Sequence, residues 1–250
     1  GKTSLVHGVV YRNAQAMIAA KNESFSYKFC ERLFGFEDFD KVVLVDRKPV
    51  AKSSVSMPAT YLDVFSLLRE FYSALPDAQI HGLSARDFSL HVEGGRCEEC
   101  KGRGEINLVL KFLPDARTPC EACDGKRYRN HVLNVEFNGM SISDVLNLSI
   151  DEAVASFANF HQILRKLKPA QELGLGYLKM GQPTASISGG EAQRLKLAPF
   201  LSAKLSKQSL LIIDEPTTGL HFVDVQRLEN IVRKIVDNGC TVIMIEHNQQ

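Results

Sequence analysis

Ser188-Gly189-Gly190-Glu191 is a Gly-Gly turn that opens a helical run from Ala192 to Leu205, and Leu211-Ile212-Ile213-Asp214-Glu215-Pro216 is an apolar strand ending in two adjacent carboxylates. Glycine lets backbone N–H groups approach an anion closely, and a helix N-terminus adds the positive end of its dipole. Ser-Gly-Gly alone is usually just a turn. A buried strand ending in Asp-Glu is more specific, because Mg²⁺ and a water can be held there beside a phosphate. His247 follows a second apolar run, Thr241 to Ile245. Asp214, Glu215 and His247 therefore all fall at the carboxyl ends of expected strands, where α/β sheets bind their ligands.

Further out lies Gly1-Lys2-Thr3-Ser4, which matches the last third of a phosphate-binding loop, G-x-x-x-x-G-K-[ST]. The rest of that loop is expected upstream, so the chain reads as a fragment. Gly-Lys-Thr is a commonplace tripeptide and gains weight only from the Asp-Glu strand downstream. In the functional reading Lys2 contacts the β/γ-phosphates and the Thr3 hydroxyl ligates Mg²⁺. A helix is expected from Lys2 to about Lys21, a buried strand over Val42 to Val45, and an amphipathic helix from Leu62 to Leu75. Ser149-Ile150-Asp151-Glu152 is a capping box, expected to start a helix that ends at Pro169. Pro199 should bend the helix that follows Gly190 or end it near Leu197. Helix from Val223 to Val236 precedes the last strand. Strands alternating with helices predict a mainly parallel sheet.

The second informative region is Cys97-x2-Cys100, nineteen residues, then Cys120-x2-Cys123. Two such knuckles point four thiolates at one ion, which fits structural Zn²⁺ with no open position for catalysis. Four ordinary buried cysteines are the bland alternative. Glu105 to Phe112 reads as a strand between the knuckles. Lys126-Arg127-Tyr128-Arg129 is the best local candidate for a nucleic-acid contact, basic with an aromatic able to stack, though a solvated face explains it equally well.

Bulk properties narrow the classes. Thirty basic residues oppose 29 acidic ones in 250, so no global field announces nucleic acid. No apolar run approaches the ~20 residues needed to span a bilayer, and no signal peptide is visible. The expectation is a soluble, cytoplasmic protein without a membrane partner.

Three segments, Ser188-Gly-Gly-Glu-Ala-Gln-Arg, Ile213-Asp-Glu-Pro-Thr-Thr-Gly-Leu-His221 and Ile245-Glu-His-Asn248, resemble the signature, Walker B/D-loop and switch-histidine segments of ABC-type ATPases. Gly94-Gly-Arg-Cys-Glu-Glu-Cys100, Phe112-Leu-Pro-Asp115, Pro119-Cys-Glu-Ala-Cys-Asp-Gly-Lys-Arg-Tyr128 and Pro58-Ala-Thr-Tyr61 are similar to the second nucleotide-binding half of the UvrA family. The resemblance covers essentially the whole chain. It implies an α/β fold, an ABC-type P-loop ATPase core with an inserted zinc-binding and signature subdomain. The expected parts are core over 1–62, inserted subdomain over 63–172 and core again over 173–250.

The same resemblance implies ATP, Mg²⁺ and Zn²⁺ as cofactors. Gly1, Lys2, Thr3 and Ser4 hold nucleotide, Asp214 supports Mg²⁺, Glu215 polarises the attacking water and His247 senses the γ-phosphate. Ser188, Gly189, Gly190 and Glu191 serve the phosphate of an opposing nucleotide-binding half or homodimer partner, so the fragment alone should turn over poorly. Cys97, Cys100, Cys120 and Cys123 hold Zn²⁺. The implied function is DNA-damage recognition in nucleotide excision repair, with damaged duplex and a UvrB-like protein as partners. Arg47 stands where the family has glutamine, and residues 51–56 also depart from its pattern. That departure keeps open an alternative, a UvrA-like ATPase in drug resistance or another non-repair role.

Overall fold

The computed structural model describes residues 1–20, 25–46, 48, 55–108, 116–202, 208–218 and 222–247. The chain divides into two compact units. The first comprises residues 1–50, 172–175 and 188–250, and the second 51–171 and 176–187. Residues 51–62 and 176–187 thus group with the second unit.

The first unit is built on a three-stranded parallel sheet in which Ser209–Asp214 lies between Lys41–Val45 and Thr241–Ile245. A strand flanked on both edges has no wet side, so its sequence is continuously apolar, and Leu210 to Ile213 are all buried. The register pairs Val45 with Ile213 and Asp214 with Ile245, which brings the carboxyl ends of all three strands to one edge. Helices Arg12–Ala20 and Gly189–Ser202 pack on the first strand, and Phe222–Asp237 packs on the last.

The expected first helix is present but not uniform. Lys2–Leu5 and Arg12–Ala20 are α-helical, and Val6–Tyr11 between them is π-helical. Helix Gly189–Ser202 carries Pro199 inside it and does not end near Leu197.

In the second unit the helix expected from Leu62 to Leu75 is Val64–Ser73. Leu75 is extended, at φ −68° and ψ 148°, because it precedes the proline that opens Pro76–Ile80. The Ser149 box forms as expected, with Glu152 Oε2 accepting from Ser149 N at 2.7 Å. Its helix, however, stops at Ser156 and a new one runs from His161 to Glu172, through Pro169. The intervening turn carries Phe157 and Phe160 onto Phe71 and Phe137, with centroid separations from 4.9 to 6.0 Å. Aromatic packing of this kind outweighs the continuation of one helix. Asn138-Gly139, both at positive φ, turn the hairpin between Glu136–Phe137 and Met140–Ser141. The strand expected between the knuckles is Glu105–Leu108, paired antiparallel with Ala116–Pro119, and the rest of that expectation lies outside the described residues.

Candidate functional site

The carboxyl edge of the parallel sheet gathers most of the expected nucleotide residues. Lys2 Nζ donates to the Glu246 carbonyl at 2.7 Å, tying the first helical turn to the end of the last strand. Thr3 and Ser4 share that turn, and Gly1 precedes it with open space around its Cα. Glu215 continues the ladder, its N–H donating to the Ile245 carbonyl at 2.9 Å. It does so at φ +48°, a left-handed conformation that a glutamate adopts only at a cost of about 1–3 kcal/mol. His247 Nε2 stands 3.2 Å from Glu215 Oε1. A carboxylate in reach of an imidazole, at an open sheet edge, can orient a water for attack.

Sequence reasoning missed the residues that brace this edge. Glu246 accepts from Thr217 N at 2.8 Å and from His247 N at 3.0 Å, fixing the turn after Glu215 to the neighbouring strand end. Buried Gln193 donates to the Asp214 carbonyl at 2.6 Å and reaches the Val45 carbonyl at 3.5 Å. Lys196 Nζ meets an Asp46 carboxylate oxygen at 2.6 Å and the Asp46 carbonyl at 2.8 Å. Burial opposes ionisation of Asp46, but Lys196 and the Lys48 N–H outweigh it and hold the carboxyl below its ordinary range. One signal was available: Asp46, like Asp214, directly follows an apolar strand. His7 lies beside Asp214, its Nε2 3.0 Å from Oδ2, with no sequence pattern to announce it.

Ser188 to Glu191 form a second capping box. Glu191 Oε2 accepts from Ser188 N at 2.7 Å, and Glu191 N donates to Ser188 Oγ at 3.4 Å. The Glu191 carboxylate is thereby engaged at its own helix start. A Cβ added at Gly190 would meet nothing within 4 Å, so the space in front of this turn is clear. Arg47, residues 51–54, Gly219 to His221 and Asn248 lie outside the described residues.

The four cysteines converge in the second unit. Their sulfurs all lie within 4.8 Å of one another, with Cys97 to Cys120 at 3.9 Å and Cys100 to Cys123 at 3.7 Å. A tetrahedral zinc ion with bonds of about 2.3 Å sets its sulfurs about 3.8 Å apart, so the cluster fits that ion. The two knuckles are alike: Gly104 N donates to Cys100 Sγ at 3.2 Å and Arg127 N to Cys123 Sγ at 3.3 Å. Burial raises the Cys100 thiol and pushes Cys123 up to about 12. At Cys120 burial acts the same way, but the N–H groups of Cys123 and Ala122 prevail and lower it. Gly95 is required here, since a Cβ would run into the Asp87 carbonyl.

The basic cluster is not the stacking platform its composition suggests. Tyr128 is 1% exposed and donates its hydroxyl to the Phe88 carbonyl at 2.9 Å. Arg127 turns inward, donating to the Gly181 carbonyl at 2.7 Å. Arg129 is paired with Glu98 at 3.0 Å. A ring spent on the core and a guanidinium spent on a backbone carbonyl cannot also bind DNA. No helix among the described residues is long and apolar enough to cross a membrane.

Comparison with known proteins gives one answer. No protein-family profile matches the chain. UvrABC system protein A of Thermus thermophilus is 46% identical over 249 residues, covering 99% of this chain and 26% of that protein. The Clostridium perfringens protein of the same name is 44% identical and that of Aquifex aeolicus 42%, each over 99% of this chain. The crystal structure of UvrA2 from Deinococcus radiodurans superposes with a TM-score of 0.88 at 42% identity, covering 100% of this chain and 30% of that one. The chain belongs to the UvrA family, and it spans about a quarter of the length of the curated relatives it matches.

Proposed function

We propose that this chain carries an ABC-type ATP site of a UvrA protein, and that its ATP turnover serves recognition of damaged DNA in nucleotide excision repair. The observation that carries the reading is the meeting of Lys2, Glu215 and His247 at the edge where the Asp214 strand ends, in a chain similar to UvrA along its length. Lys2, with Gly1, Thr3 and Ser4, holds the triphosphate. Thr3 and Asp214 hold Mg²⁺, which when bound neutralises charge developing on the transferred phosphoryl group. Glu215 accepts hydrogen bonds from the attacking water, and His247, beside it, senses the γ-phosphate. Ser188, Gly189 and Gly190 offer backbone N–H groups to a phosphate on an opposing half, with Glu191 capping that turn.

Zn²⁺ held by Cys97, Cys100, Cys120 and Cys123 locks the two knuckles together and has no position left for a substrate. Damaged duplex and a UvrB-like protein are the proposed partners, and the cytoplasm the proposed compartment. The test is ATP turnover by the intact parent protein with and without lesion-bearing duplex, alongside binding to damaged and intact duplex across salt. Stimulation and preference for the lesion are expected. Equal affinity for both duplexes at every salt concentration overturns the damage-recognition part.

A further inference from the structure

His7 and Asp214 form a pair that a hydrogen bond does not explain. His7 Nε2 stands 3.0 Å from Asp214 Oδ2. Yet His7 Nε2 is closed to solvent with no hydrogen-bond partner among the described residues, and so is Asp214 Oδ1. The ring nitrogen is close to the carboxylate but its N–H does not point along the contact. In the other tautomer two lone pairs face each other at that distance. Either arrangement leaves buried polar atoms unsatisfied, which costs on the order of 1–3 kcal/mol each.

A cation between them satisfies both. Octahedral ligands at about 2.1 Å lie roughly 3.0 Å apart when they are cis, which is the separation found here. His7 is four residues after Thr3, so the two start from the same side of the helix, and His7 sits in the π-helical stretch Val6–Tyr11. Such stretches re-aim side chains and recur at functional sites. An oxygen-only donor set suits Mg²⁺, whereas an imidazole nitrogen favours first-row transition ions, with affinity rising beyond Mn²⁺.

We propose that His7 Nε2 is a direct ligand, cis to Asp214, of the divalent cation in the nucleotide site, and that it shifts this site from Mg²⁺ toward Mn²⁺ and other nitrogen-tolerant ions. The proposal rests on the ATP-site reading above. It makes His7 a specificity-determining residue for the ion that accompanies the nucleotide.

The test uses the intact zinc-loaded protein labelled with ¹⁵N at histidine only, with Mn²⁺ and a non-hydrolysable ATP analogue. Pulsed electron paramagnetic resonance should detect ¹⁵N coupling to bound Mn²⁺. His247→Ala should retain the coupling and His7→Asn should lose it. His7→Asn should also lower the ratio of Mn²⁺ to Mg²⁺ affinity on the order of tenfold. Absence of ¹⁵N coupling in the unsubstituted protein overturns the proposal whether or not any variant folds, as does coupling that survives in His7→Asn. Failure of the analogue to bind at all removes the ATP-site reading as well, so the two failures are told apart by nucleotide binding.

Discussion

The side-chain amide of Gln193 donates to the Asp214 carbonyl at 2.6 Å, which fastens the helix beginning at Gly189 to the strand that ends in the two carboxylates. Gln193 is buried and also reaches the end of the first strand. Gln193→Ala leaves a backbone carbonyl unpaired in the interior. A loss of about 1–3 kcal/mol in chemical unfolding is expected. An unchanged unfolding midpoint would show that the amide contributes nothing to holding this edge.

Glu215→Gln keeps the side-chain shape and the same left-handed backbone, so the fold should be preserved. Removing the charge that orients the attacking water should lower ATP turnover of the parent protein by about 10²–10⁴-fold. Nucleotide binding, followed by fluorescence of a labelled analogue, should persist. Turnover at the unsubstituted rate would mean that another group is the base.

The Lys196–Asp46 pair predicts a pH dependence with a definite sign. The Asp46 carboxyl is held low in the folded protein. Its contribution is therefore present above the ordinary carboxylate value, roughly 4, and fades as pH falls through the folded value. In Lys196→Met burial acts alone and the variant is destabilised at neutral pH. The stability gap between the two proteins should narrow as the solution is acidified below about pH 4. A gap constant from neutral pH to acid would contradict this.

Zinc should be present at one ion per chain. Removing a ligand, as in Cys120→Ser, should release it and unfold the knuckles, measured by metal analysis and limited proteolysis. Binding must displace the protons that burial keeps on Cys100 and Cys123, so affinity should fall as pH falls.

Tyr128→Phe tests the corrected reading of the basic cluster. It deletes one buried hydrogen bond and leaves the Phe88 carbonyl unpaired, costing about 1–3 kcal/mol. The salt dependence of DNA binding should not change, because the ring faces the core. A smaller salt slope in this variant would restore the cluster to the DNA surface.

Much of the first unit was readable in the sequence because its strands are buried on both faces and its ligands follow strand ends. Apolar runs at 42–45, 210–213 and 241–245, with acidic residues or His247 behind them, suffice to predict the sheet and its functional edge. The cysteine spacing did the same for the knuckles. What was not readable depends on contacts between distant segments. Nothing local distinguishes a tyrosine bound for the core from one able to stack on a base, and Tyr128 took the core. The turn at Phe157 to Phe160 arises from rings at 71 and 137, far away in sequence. His7 looked like an ordinary helix residue until the Asp214 strand was folded against it.

The π-helical stretch from Val6 to Tyr11 sets a phase as well as a shape. Each of its closed loops holds one more residue than an α-helical loop. Deleting a single amino acid there would let the segment relax into an ordinary α-helix. Everything beyond would then rotate by about 100° relative to the phosphate end. Asn13, whose side chain clasps the backbone of Lys28, would swing out of its socket. Length in this short stretch is consequently under stricter control than its unremarkable composition implies, and insertions or deletions should be tolerated less than substitutions.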